Sequence, residues 1–153
     1  MKVFKAFYIQ HKSSLFAYLM RMSADYDLAW DILQESFTRL LDRYPSRVWS
    51  KALLFKIARN TFIDEKRKSR HRKSQELTEY HGARNYEQDF FVREKYRAVL
   101  RSLQQLDSME RDILSLRISS NLTYRDIADI VGISEANVKV KVHRARIKLK
   151  SLL

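Results

Sequence analysis

The chain's 153 residues are about one domain's worth, and a 45% hydrophobic share allows a packed core and excludes wholesale disorder. The absence of cysteine excludes disulfide and thiolate chemistry and fits a reducing cytoplasm, while two glycines and one proline leave little for hairpin-rich folds or glycine-rich phosphate loops. Thirty Lys+Arg against 18 Asp+Glu give a net +12, and two short runs, 66–73 and 139–153, each carry six basic residues and no acidic one.

Concentrated positive charge of this kind selects a polyanion, because each neutralised phosphate releases counterions. Solvated basic tails are the plainer alternative. No run of about 18 apolar residues is present, so membrane insertion is not expected. Met1–Gln10, followed by His11 and Lys12, lacks the cleavage pattern of a signal peptide.

The expected fold is all-α. Phe4, Phe7, Tyr8, Leu15, Phe16, Leu19 and Met20 recur at helical spacing and predict a first helix over 2–23. A break follows, with Asp25 or Asp27 as the N-cap of a second helix that runs to about Tyr44. Its stripe is Leu28, Ile32, Leu33, Phe37, Leu40, Leu41 and Tyr44, and Pro45 ends it. After a short loop, Pro45–Ser50, a third helix is expected from about Trp49 to Arg70, leading into the basic run. Residues 71–88 lack a clear period and contain Gly82, which reads as a polar linker.

A second helical lobe begins near Tyr86, with a stripe at Val92, Tyr96, Val99, Leu100, Leu103 and Leu106. Asp107-Ser108-Met109-Glu110 has the form of a capping box opening a helix over about 108–119. Two further helices, about 123–131 and 135–152, flank Val131-Gly132-Ile133-Ser134. Ala128 permits a close helix crossing, Gly132 accepts the left-handed conformation, Ser134 caps, and Val138 fills the angle. That is a helix-turn-helix arrangement, whose second helix enters the major groove; an ordinary helical corner is the alternative.

On a wheel of about 100° per residue, Val138, Val142, Ala145 and Leu149 form the inward face of the last helix. Ala136, Val140, His143, Arg144 and Ile147 point outward, flanked by Asn137 and Lys139. Lys141, Arg146, Lys148 and Lys150 surround the stripe and suit phosphates. Asn and Arg suit adenine and guanine edges, and Val140 suits a thymine methyl.

These residues resemble a known family. Leu106-Asp107 through Leu149 is similar to the sigma-four domain of extracytoplasmic-function (ECF) sigma factors. Asp31-Ile-Leu-Gln-Glu-Ser-Phe37 resembles the polymerase-binding helix of the sigma-two domain. Ile57-Ala-Arg-Asn60 with Ile63-Asp-Glu-Lys-Arg-Lys68 resembles the helix that melts and reads the minus-ten element. The likeness covers nearly the whole chain in the right order. It departs at Leu106-Asp107, where the family often has Leu-Pro; at Leu53, where tryptophan is common; and at Val140, where a small or hydroxyl residue is common.

The resemblance implies a sigma-two domain over 1–73, a linker over 74–88 and a sigma-four domain over 89–153. It implies an alternative sigma factor without covalent chemistry, with core RNA polymerase, promoter DNA and an anti-sigma factor as partners and no cofactor. Trp30, Asp31, Gln34 and Glu35 would face the polymerase. Arg47, Trp49, Arg59, Asn60, Lys66, Arg67 and Lys68 would serve the minus-ten element, with Asn60 and the Pro45–Ser50 loop at a flipped base. Ala136, Asn137, Lys139, Val140, Lys141, His143, Arg144 and Lys148 would serve the minus-thirty-five element. No appended sensory domain is expected after Leu153.

Two other functions fit parts of the chain. A stand-alone helix-turn-helix regulator accounts for residues 123–150 but gives 31–37 no role. A recombinase or nuclease needs clustered carboxylates or a paired nucleophile. His11, His71, His81 and His143 are scattered, and Asp64-Glu65 suits a helix-surface ion pair better.

Overall fold

The computed structural model describes residues 1–72, 90–118 and 120–153. The expected linker at 74–88, the start of the second lobe near Tyr86, and His81 and Gly82 lie outside the described residues, as do the side chains of 70–72 and 90–93. Among the described residues every regular element is helical.

The first lobe holds α1 (Lys2–Ser23), α2 (Tyr26–Arg43) and α3 (Lys51–Arg72). Ala24, left-handed at φ 52°, closes α1 by donating its N–H to the Met20 carbonyl at 2.8 Å. Asp25 caps α2, its carboxylate accepting from the Leu28 amide at 3.1 Å. Tyr44 is extended, as the residue before proline must be, and a 3-10 turn at Ser46–Val48 follows. Trp49 is not helical, contrary to the expected start of the third helix. Its indole N–H donates to the Tyr44 carbonyl at 2.9 Å, and Ser50 caps α3 through the Leu53 amide.

The second lobe holds α4 (Phe90–Gln104), α5 (Ser108–Arg117), α6 (Tyr124–Val131) and α7 (Glu135–Leu152). Asp107 and Glu110 form the expected capping box. Thr123 and Asp126 form a second one at the start of α6, so both short helices are stopped from fraying at their N-terminal ends. Gly132 sits at φ 83° with nothing within 4 Å of where a Cβ would be. Glycine is therefore required there by backbone conformation rather than by space.

The lobes share one core. Leu15, Tyr18, Leu19, Ile32, Leu33, Phe37, Leu54 and Phe55 of the first lobe are continuous with Ile113, Leu116, Ile127, Val138 and Val142 of the second. Helix α1 packs on α4 and α5, and α3 packs on α6. Leu100, Leu103, Leu106, Leu114 and Ala145 form a smaller cluster within the second lobe.

Candidate nucleic-acid interface

Helix α7 separates its two faces as the wheel predicts. Val138, Val142 and Ala145 are buried, and Leu149 is half-buried. Ala136, Asn137, Lys139, Val140, His143 and Arg144 are exposed, and Lys141 is partly so. Ser134 starts the helix by accepting from the Asn137 amide at 3.1 Å. The cap fixes where the helix, and with it the exposed face, begins. Val140 and Ile147, at 44% and 57% exposure, are apolar side chains held in solvent on that face.

Lys148 has a different setting. Its ammonium lies 2.8 Å from the Glu110 carboxylate of the capping box. The hydrogen bond and charge of Glu110 raise its pKa. The cation thus ties the last turns of α7 to α5 and carries a partly neutralised charge.

Two residues absent from the sequence reading support Lys139. The Tyr124 ring has the Arg117 guanidinium 4.3 Å from its centroid and the Lys139 ammonium at 5.8 Å. Arg117 also donates to the Leu122 carbonyl at 2.8 Å. The ring holds two cations near the start of the helix-turn-helix.

In the first lobe, Asp31, Gln34 and Glu35 are exposed along one side of α2, opposite the buried Ile32, Leu33, Ser36 and Phe37. Glu35 pairs with Arg39 at 2.9 Å, and Gln34 donates to the Tyr8 hydroxyl at 3.3 Å. Trp30 is half-buried, its ring edge-on to Phe16. The face is acidic and hydrogen-bonding, with Trp30 at one edge and the exposed Leu41 two turns beyond Gln34.

The residues expected at the minus-ten element fall into three settings. Arg47, Asn60, Lys66, Arg67 and Lys68 are exposed, the last of them 4.0 Å from Glu65. Trp49 packs against Phe4 and Phe7 of α1, so its ring pins the loop to the lobe. Arg59 is only 15% exposed and pairs with Asp112 of α5 at 2.5 Å. It faces the other lobe, while its neighbour Asn60 faces solvent.

Asp112 is the centre of a buried polar cluster that the sequence reading missed. It accepts from the Tyr18 hydroxyl at 2.8 Å as well as from Arg59. Arg21 donates to the carbonyls of Ser115 and Ile118, and Gln104 donates to the Arg21 carbonyl. Burial, then the Asp112 charge, push the Tyr18 phenol well above its ordinary pKa, and burial lowers that of Arg21. The available signal was Arg21, a charged residue among the apolar positions Tyr18, Leu19 and Met22 of α1.

Comparisons with known proteins agree with both lobes. The family described as Sigma-70 region 2 matches residues 7–72, and Sigma-70, region 4 matches 96–149. The chain is 34% identical over 151 residues to the ECF RNA polymerase sigma factor SigM of Bacillus subtilis, covering 95% of this chain and 91% of that protein. It is 30% identical to the RNA polymerase sigma factor YlaC of the same organism, covering 94% and 87%. The fold is similar to that of the sigma factor RpoE in complex with the anti-sigma factor NepR from Bartonella quintana, with a TM-score of 0.77, 24% identity, and 99% and 97% coverage.

Proposed function

This chain belongs to the ECF RNA polymerase sigma factors, and we propose an assignment of its residues to each step of promoter recognition. The chain binds core RNA polymerase and directs promoter-specific initiation by recognising the minus-ten and minus-thirty-five elements. Residues 1–73 form the sigma-two domain, 74–88 the linker and 89–153 the sigma-four domain. Its work is recognition, carried out without covalent chemistry, in the cytoplasm where the polymerase acts.

Asp31, Gln34 and Glu35 present the polar face to the polymerase, with Trp30 as the anchor at its edge. Arg144 and Asn137 read base edges in the minus-thirty-five major groove, with Ala136, Val140 and His143 beside them. Lys139 and Lys141 hold phosphates, and Lys148 adds a weaker contact because Glu110 shares its charge. Asn60 supplies a donor and an acceptor to an extruded minus-ten base, next to the loop bearing Arg47 and Trp49. Arg59, Lys66, Arg67 and Lys68 hold the strand's phosphates. An anti-sigma factor is the regulatory partner, of the kind that holds the Bartonella protein.

The observation that carries this reading is the division of α7 into a buried stripe and an exposed face with Asn137, Lys139, Val140, His143 and Arg144 together. A stand-alone regulator would use that helix but leave the face of α2 idle. Co-purification separates the two readings. The tagged chain is expected to retain core RNA polymerase, and failure to retain it would favour the stand-alone regulator.

A further inference from the structure

Arg59 is the one residue assigned to the minus-ten strand that the closed arrangement of the lobes takes out of solvent. Its guanidinium is paired at 2.5 Å with a carboxylate from the other lobe, and that carboxylate is itself 6% exposed. The pair sits beside the buried Tyr18 hydroxyl. The nearby Arg21 is bonded to backbone carbonyls of α5 and the turn after it. All these contacts cross from one lobe to the other, and all would be lost together on separation. Asp112 offers Arg59 what one phosphate oxygen offers, an anionic acceptor for a charge-assisted hydrogen bond, while Tyr18 holds the other carboxylate oxygen.

We propose that Asp112 is an internal stand-in for a minus-ten phosphate, so that lobe closure and strand capture exclude one another through Arg59. This rests on the reading of Arg59 as a phosphate contact. In the closed form the Arg59 side chain lies between α3 and α5, where a nucleic-acid backbone has no access. Opening releases the guanidinium to the strand and leaves Asp112 and Tyr18 to water. Asp112 is thus a positioning residue. It acts on DNA only through the state of Arg59, and it sets how much of the chain is competent to bind.

The chain has no cysteine, so Ser13→Cys and Ser151→Cys, both at exposed positions, give one donor–acceptor dye pair across the lobes. The probe is a single-stranded minus-ten oligonucleotide, with and without core polymerase. In the otherwise unaltered labelled chain, the strand is expected to lengthen the inter-dye distance. Asp112→Asn, which keeps shape but removes charge, is expected to lengthen it without DNA. If nine-tenths of the parent is closed, Asp112→Asn tightens strand binding about tenfold, since apparent affinity scales with the competent fraction. Adding Arg59→Ala is expected to abolish that gain and to lower the salt slope by about one.

A gain that survives Arg59→Ala, or a distance unchanged by bound strand, would overturn the proposal. Strand binding that depends on Arg59 but is indifferent to Asp112 would overturn it while leaving the minus-ten reading standing. Strand binding that ignores Arg59 altogether, even with core polymerase, would remove the reading beneath it. A thermal melt of each variant checks folding, and the dye-pair measurement with added strand needs no latch substitution.

Discussion

The Tyr18 hydroxyl donates a 2.8 Å hydrogen bond to the Asp112 carboxylate, 94 positions further along the chain, and both side chains are buried. Arg59 reaches the same carboxylate from α3, and Arg21 lies nearby on α1. Burial and the Asp112 charge raise the phenol's pKa against the opposing pull of Arg59 and Arg21. The sign of the linkage follows. A folded value above the unfolded one gives stability that is complete below the ordinary tyrosine value of about 10 and is lost as pH rises through the folded value. Melting temperature is therefore expected to fall more steeply above about pH 10 in the parent than in Tyr18→Phe. The variant starts lower by about 1–3 kcal/mol, because Asp112 loses a buried donor. Parallel pH profiles would mean that this phenol does not titrate with unfolding.

Glu110 serves two partners at once, the Asp107 cap and the Lys148 ammonium. Glu110→Gln keeps a side chain that suits a capping box but removes the charge beside Lys148. Duplexes of any sequence are expected to bind the variant more tightly, with a salt slope steeper by up to about one. Titrations at several salt concentrations, with a random-sequence duplex as well as a promoter duplex, measure this. An unchanged slope on both would place Lys148 away from the phosphates.

Arg144 is exposed on the recognition face and suits bidentate contact with guanine. Arg144→Ala is expected to cost about 1–3 kcal/mol and to relax preference at one position of the minus-thirty-five element. Binding to a panel of single-base promoter variants reads this out. A uniform loss across the panel would make Arg144 a phosphate contact instead.

Asn60 faces solvent one position after the latched Arg59. Base capture follows docking, so Asn60→Ala is expected to reduce open-complex formation more than initial promoter binding. Permanganate reactivity of unpaired thymines tracks opening, and a filter-binding assay tracks docking. Equal reactivity in parent and variant would remove Asn60 from the pocket.

Much of this architecture is legible in the sequence because local chemistry dictates it. Asp25, Asp107 and Ser134 precede helical stripes and cap them, and Gly132 marks the only described glycine at positive φ. The Thr123-x-x-Asp126 box was equally readable from its residues. The wheel of α7 holds because Val138, Val142 and Ala145 keep helical spacing without a break. What periodicity cannot convey is which distant helices meet. Asp112 and Arg59 both sit on helices whose stripes look complete without them, and only the packing of α1 and α3 against the second lobe turns both charges inward. The same holds for Lys148, whose place beside Glu110 depends on α7 lying along α5.

Run-off transcription with purified core polymerase tests the account most directly, on genomic fragments with mapped start sites. The chain is expected to give discrete starts preceded by shared minus-ten and minus-thirty-five elements. Reversing the exposed Asp31 and Glu35 to lysine is expected to abolish those starts while leaving the melting temperature near the parent's. Starts that persist undiminished in the folded double variant would contradict the assignment of this face to polymerase, and a parent chain that yields no starts on any fragment would contradict the account as a whole.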